Sequence, residues 1–141
     1  MYIEPYSQDE LVMISSHKHP YSQKEVISTK DLQKETLLWR EKGSAARTLV
    51  EQFLNDKQFH FKNRMEVSDT ETIKHMVIAG VGIAFVPKLA VRQELSLLLL
   101  RTVNDSKFLI PIHFTVISAK DQHTYPTVLA FSSFLRKWPL N

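Results

Sequence analysis

Two short runs of the sequence place polar side chains where a folded chain offers free backbone N–H groups. The first is Gly43-Ser44, ahead of Ala46, Leu49, Val50, Phe53 and Leu54, which recur at helical spacing. The second is Ser68-Asp69-Thr70, ahead of Ile73, Met76, Val77 and Gly80. The first turn of a helix leaves backbone N–H groups without intrahelical partners, and the helix dipole favours negative charge there. Ser44, Ser68 and Thr70 add hydroxyls. The chemistry on offer is the holding of a carboxylate or another small anion. Asp69 opposes a strongly anionic site at the second start, because its own charge already sits on the dipole. The plainer alternative is that both serines only cap helices.

Other chemistries find no support. The chain has no G-x-S-x-G elbow, no H-E-x-x-H and no cysteine, so a thiolate nucleophile, a disulfide and a thiolate metal site are excluded. His17 and His19 form an H-x-H pair that one strand face could present to a metal, but no third ligand is near, and no metal is expected. AGVGIAF (79–85) matches only the G-x-G of a dinucleotide fingerprint and precedes a strand, whereas the fingerprint follows one and opens a helix. His75 lies on a helix read as packed. No base or nucleophile can be assigned, so the expectation is a binding protein, not an enzyme, with no cofactor.

These runs need strands and helices to position them. Leu11–Ser15 and Thr36–Arg40 read as strands, and Phe59–Val67 alternates as a half-buried one, with Phe59, Phe61, Met65 and Val67 on one face. Ser68 with Glu71 has the spacing of a capping box. Gly80 suits the left-handed residue that ends a helix. Ile83–Val86 is an apolar run fit for a strand covered on both faces. A short helix is expected over Lys88–Leu95, strands over Leu97–Val103 and Ile110–Ala119, and a turn at Asn104-Asp105-Ser106. A last helix starts at Pro126, carries Val128, Phe131, Leu135 and Trp138 as a core stripe, and stops at Pro139. Strands alternating with helices imply parallel pairing. The chain divides into a crossover strand and part of a first lobe (1–21), a complete α/β lobe (22–95), and a return strand, a further strand and a helix of the first lobe (96–141).

At 141 residues the chain is long enough for a real core. Its formal charge of +3 comes from 18 basic residues interleaved with 15 acidic ones, so no basic surface for nucleic acid stands out. No apolar run reaches the length of a membrane span, and MYIEPYSQDE at the N-terminus is not a secretory signal.

Taken together, DELVMISSHKHP, the REKGSAAR helix start, SDTETIKHMVIAGVGIAFVPKLAV, the LLLLRTV strand and the final AFSSFL resemble the effector-binding domain of LysR-type transcriptional regulators over nearly the whole chain. The resemblance implies a periplasmic-binding-protein-like α/β fold, with one complete lobe and part of a second. It also implies a small-molecule effector held between lobes, with Gly43, Ser44, Ser68, Asp69, Thr70 and Phe85 as this lobe's share of the pocket. A cytoplasmic homo-oligomer is expected, touching DNA only through the family's winged helix-turn-helix. That domain and most of the first lobe are expected to be missing, leaving a C-terminal portion that does not read promoter DNA and that exposes an apolar face where strands should pack. A solute-binding protein of a transport system is the alternative, followed by an enzyme of the same fold or a remnant that binds nothing.

Overall fold

The computed structural model describes residues 1–21, 23–24, 26–103 and 107–138. The expected turn at 104–106 and the Pro139 stop lie outside the described residues. The chain forms two compact units, 10–110 and 1–9 with 111–141. Their divisions fall inside strands, at 9/10 and 110/111, whereas the sequence suggested 21/22 and 95/96.

The larger unit is built on a sheet ordered β3-β2-β4-β1-β5, with β6 also pairing with β1. Its strands are β1 (Tyr2–Ser16), β2 (Thr36–Arg40), β3 (Asn63–Val67), β4 (Ile83–Pro87), β5 (Leu100–Thr102) and β6 (Leu109–Ser118). β2 runs parallel to β3 and β4, as strand–helix alternation demands, while β1 runs antiparallel to β4 and β5. Helix α1 (Thr29–Leu32) is one turn; α2 (Ala45–Asp56) follows β2 and α3 (Thr70–Ile78) follows β3. A 3-10 turn (Lys88–Val91) and α4 (Arg92–Ser96) take the place of the single short helix expected after β4.

Strand alternation sends successive side chains to opposite faces. On one face, Val12, Ile14, Leu38, Ala84 and Val86 pack with Ile73 and Val77 of α3. Phe85, on the other face, meets Phe53 of α2 at 6.0 Å and Phe108 at 6.3 Å between ring centroids. Phe59 and Phe61 join this aromatic cluster. Glycine is required twice over at the turn after α3. Gly80 has φ +82, and a Cβ on Gly82 would lie 2.3 Å from the Thr36 carbonyl oxygen of β2.

Three expected elements differ. β3 starts only at Asn63, and its residues up to Glu66 are exposed; Phe59 and Phe61 are buried in the loop before it, so their alternation with Met65 reflects two separate environments. β5 keeps three residues, because Leu97, Leu98 and Leu99 turn outward and Leu98 takes φ +57. The α3 cap is Asp69, whose carboxylate accepts from the Thr72 N–H at 2.7 Å, and Glu71 pairs with Lys74 instead of closing a capping box with Ser68.

The smaller unit holds the start of β1, most of β6 and α5 (Pro126–Lys137), with Pro126 in its first turn. Within it Arg136 pairs with Glu4 at 2.7 Å, and the Tyr6 hydroxyl donates to the Trp138 carbonyl. The stripe expected to form core does so only in part. Val128 and Leu135 are half-buried, whereas Phe131 and Trp138 are 59% and 66% exposed. Leu129 and Phe134 of the same helix are exposed too, because this unit has too few elements to cover both sides of it.

One ion cluster ties α3 to α4. The Lys74 ammonium, on a side chain 8% exposed, lies 2.6 Å from Glu94 and 2.9 Å from Glu71. Burial alone would lower the Lys74 pKa, but hydrogen bonds to both glutamates raise it on balance. Burial likewise opposes the charge on Glu94, yet the Lys74 hydrogen bond holds its pKa below the ordinary value. A depressed carboxylate pKa stabilises the fold above the unfolded-state value and is lost as pH falls through the folded one. The raised Lys74 pKa contributes below its unfolded value and is lost as pH rises through the folded one. Lys74→Met is expected to cost roughly 2–4 kcal/mol at neutral pH, since Glu94 is left without its cation. That cost is expected to shrink as pH falls and Glu94 takes up a proton, because the stabilisation Lys74 gives is then lost in the wild type as well; urea titrations from pH 7 to pH 3 read both effects, and a cost that stays constant with pH would contradict the pairing.

Candidate functional site

The register of β2 with β3 decides where the two helix starts lie. Thr36 to Arg40 pair in parallel with Asn63 to Val67, so Arg40 and Val67 end neighbouring strands at the same level. Each strand then feeds a helix: β2 leads through Glu41–Gly43 to α2, and β3 leads through Ser68 to α3. The two starts therefore lie side by side beyond the carboxyl ends of adjacent parallel strands, where ligands of open α/β sheets gather.

At the first start, Gly43 adopts φ +95, a conformation that side-chain-bearing residues rarely take, and this turns the chain into α2. Ser44 caps the helix: its Oγ accepts from the Arg47 N–H at 3.5 Å, and its carbonyl accepts from the Thr48 hydroxyl at 3.2 Å. At the second start Asp69 accepts from both the N–H and the hydroxyl of Thr72, each at 2.7 Å. These bonds, first that from the backbone N–H, hold the Asp69 pKa below the ordinary carboxylate value. Ser68 is exposed, with its hydroxyl 3.5 Å from the Asp69 carboxylate. Thr70 is half-buried and takes a 3.5 Å contact from Arg40 Nη1. Five of the six sequence candidates thus belong to the paired starts. Phe85 differs: it is 7% exposed, and its ring packs against Phe53 and Phe108.

Two arginines that sequence reasoning passed over shape this edge. Arg40 donates through Nε and Nη2 to Glu41 at 2.9 Å each. Those hydrogen bonds raise the Arg40 pKa and lower that of Glu41. Arg47 is 8% exposed. It bonds Glu51 at 2.8 Å, the Arg40 carbonyl at 2.8 Å and Glu66 at 3.4 Å, and its guanidinium lies 3.4 Å from the centroid of the Trp39 ring. One side chain thereby joins α2, β2 and β3 immediately beneath the first helix start. A signal was present in the sequence, since Arg47 falls on the same helical stripe as the buried Val50 and Leu54. A cleft of about 300 Å³, lined by Trp39, Asn55, His60, Phe61 and Arg64 among others, opens beside this stack.

Polar helix starts aligned at the carboxyl edge of a mixed sheet define an α/β domain with the layout of a ligand-binding module. The comparisons give its family. The LysR substrate binding domain matches residues 1–139, and the chain belongs to that family. The HTH-type transcriptional regulator YwqM of Bacillus subtilis (strain 168) is 31% identical over 137 residues, 97% of this chain and 46% of that protein. The HTH-type transcriptional regulator CbbR of Sinorhizobium medicae (strain WSM419) is 35% identical over 128 residues, 89% of this chain and 40% of that protein. The chain therefore spans less than half the length of these relatives, which are transcriptional regulators. The regulatory domain of Synechocystis PCC6803 CcmR, in complex with 2-PG, matches with a TM-score of 0.83 at 23% identity over 98% of this chain and 68% of that one. The effector binding domain of QuiR, in complex with shikimate, gives 0.73 at 19% identity over 96% and 64%. The fold is accordingly the periplasmic-binding-protein-like α/β fold of LysR effector-binding domains.

Arg47 supplies a test of how the first helix start is held. Its acidic partners are 40% and 58% exposed and regain water when it is removed, so the loss is mainly the bond to the Arg40 carbonyl and the stack on Trp39. Arg47→Ala is expected to cost about 1–3 kcal/mol in urea unfolding. Arg47→Lys should recover little of it, because an ammonium lacks the planar fork; full recovery by lysine would show that charge alone suffices.

Proposed function

We propose that this chain is the small-molecule-sensing part of a LysR-type transcriptional regulator. The observation that carries this is the register of β2 and β3, which sets the Ser44 and Ser68-Asp69-Thr70 starts next to each other. The ligand is a small carboxylate or related anion carrying hydroxyls. Free N–H groups and the Arg40 guanidinium meet its charge, while Ser44, Ser68 and Thr70 meet its polar groups. The complexes of 2-PG with CcmR and of shikimate with QuiR support a ligand of this size. Asp69 and Glu41 disfavour a high negative charge on it. The module senses and does not react, a reading supported by relatives that are transcriptional regulators. Binding acts by differential affinity for one arrangement of a homo-oligomeric regulator, whose contact with DNA belongs to another domain, in the cytoplasm. No described helix is long and apolar enough to cross a membrane.

A thermal-shift panel of small hydroxy-carboxylates and phosphorylated acids tests the site. At about ten times its Kd, a ligand adds roughly 1.4 kcal/mol of stability, a rise in Tm of a few degrees for a chain of this size. Ser44→Ala and Thr70→Ala are each expected to remove most of that rise. Stabilisation unchanged by both substitutions would move the site elsewhere.

A further inference from the structure

The end of β2 carries a guanidinium that is already paired with a neighbouring carboxylate. Arg40 presents its fork on two sides: Nε and Nη2 to the Glu41 carboxylate at 2.9 Å each, and Nη1 towards the Thr70 hydroxyl at 3.5 Å. A bidentate guanidinium–carboxylate pair has the same geometry whether the carboxylate comes from the chain or from a free acid. Glu41 is 40% exposed and Arg40 29%, so water reaches the pair, and exposed pairs of this kind are weakly held. Around the one guanidinium stand two carboxylates, Glu41 and Asp69, the second felt through space. Asp69 is committed to capping α3. Glu41 caps no helix: besides Arg40, a hydrogen bond from its own backbone N–H holds its carboxylate, and it sits on the loop that Gly43 turns into α2. Its carbonyl accepts from the Ser44 N–H at 3.2 Å. A ligand carboxylate that displaces the Glu41 side chain therefore acts on the residue that precedes the first helix start.

We propose that Arg40 is the specificity-determining residue for the ligand's carboxylate, and that Glu41 is its built-in competitor for the guanidinium. This deepens the effector-site reading above and rests on it. Two consequences are opposite in sign. Removing the Glu41 charge strengthens binding of a small carboxylate, and removing the Arg40 fork weakens it. A purely structural pair would lose binding, or keep it, in both cases alike.

The test is a glycolate titration of the 15N-labelled 141-residue chain at constant ionic strength, followed by NMR at the Arg40 Nε–H and the Ser44 and Arg47 amides. Glu41→Gln is expected to tighten glycolate roughly three- to tenfold. Arg40→Gln is expected to weaken it about tenfold or more in either background, and Arg40→Lys, which keeps the charge without the fork, to recover only part. Unchanged affinity in Glu41→Gln, wild-type affinity in Arg40→Gln, or no glycolate response in Glu41→Gln would each overturn the proposal. Ser44→Ala and Thr70→Ala separate it from the effector site itself. Loss of the response in these with no gain in Glu41→Gln keeps the site and rejects the competitor. A gain in Glu41→Gln with no change in either hydroxyl variant keeps the arginine and rejects the paired starts.

Discussion

Everything at the functional edge depends on one pairing register. β2 and β3 run parallel with Arg40 opposite Val67, so two chains leave the sheet at the same height and each enters a helix within a few residues. A slip of one residue would turn every side chain of β3 to the other face. Val67 would then lose its place in the core beside Leu38 and Ile73, and Glu66 would no longer meet Arg47. The register is thus held by burial on one side and by an ion pair on the other, and the position of the second helix start follows from it.

The electrostatics of the edge are close to balanced. Arg47 is matched by Glu51 and Glu66, and Arg40 by Glu41, with Asp69 spending its charge on the Thr72 N–H. Balance of this kind suits reversible sensing better than tight capture. A site that presented two unmatched guanidinium groups would hold any anion in the cell; on the proposed reading, a cation already paired favours a ligand that fits the hydroxyls as well. The glycines serve the two ends of β2. Gly82 lets β4 approach the Thr36 carbonyl, and Gly43 turns the chain from β2 into α2.

Much of this was readable before any coordinates. The bounds of β2, the start of α2 at Ser44, the left-handed Gly80 and the buried Ile83–Val86 run of β4 each follow from local chemistry that tertiary contacts did not override. Elsewhere local pattern misled for identifiable reasons. Ser68 and Asp69 are both good caps, and spacing to Glu71 favoured the serine, but Lys74 needed Glu71 as a counter-ion in a buried setting. Alternation from Phe59 to Val67 mimicked one strand because a loop residue and a strand residue can each bury a phenyl ring or a valine. Phe85, expected near the ligand from its neighbours in sequence, is turned by strand parity towards Phe53 of α2. Arg40 and Arg47 were missed because a charged residue at a strand end or on a helix reads as solvated until its partners across the sheet are known.

The central claim is that the two helix starts act on one guest. Amide chemical-shift mapping with whichever small acid most raises the melting temperature tests it directly. Arg47, at the Ser44 start, and Thr72, at the Asp69 start, should shift together and along one binding curve with a single Kd. Shifts confined to one start, or two curves with unrelated Kd values, would contradict it.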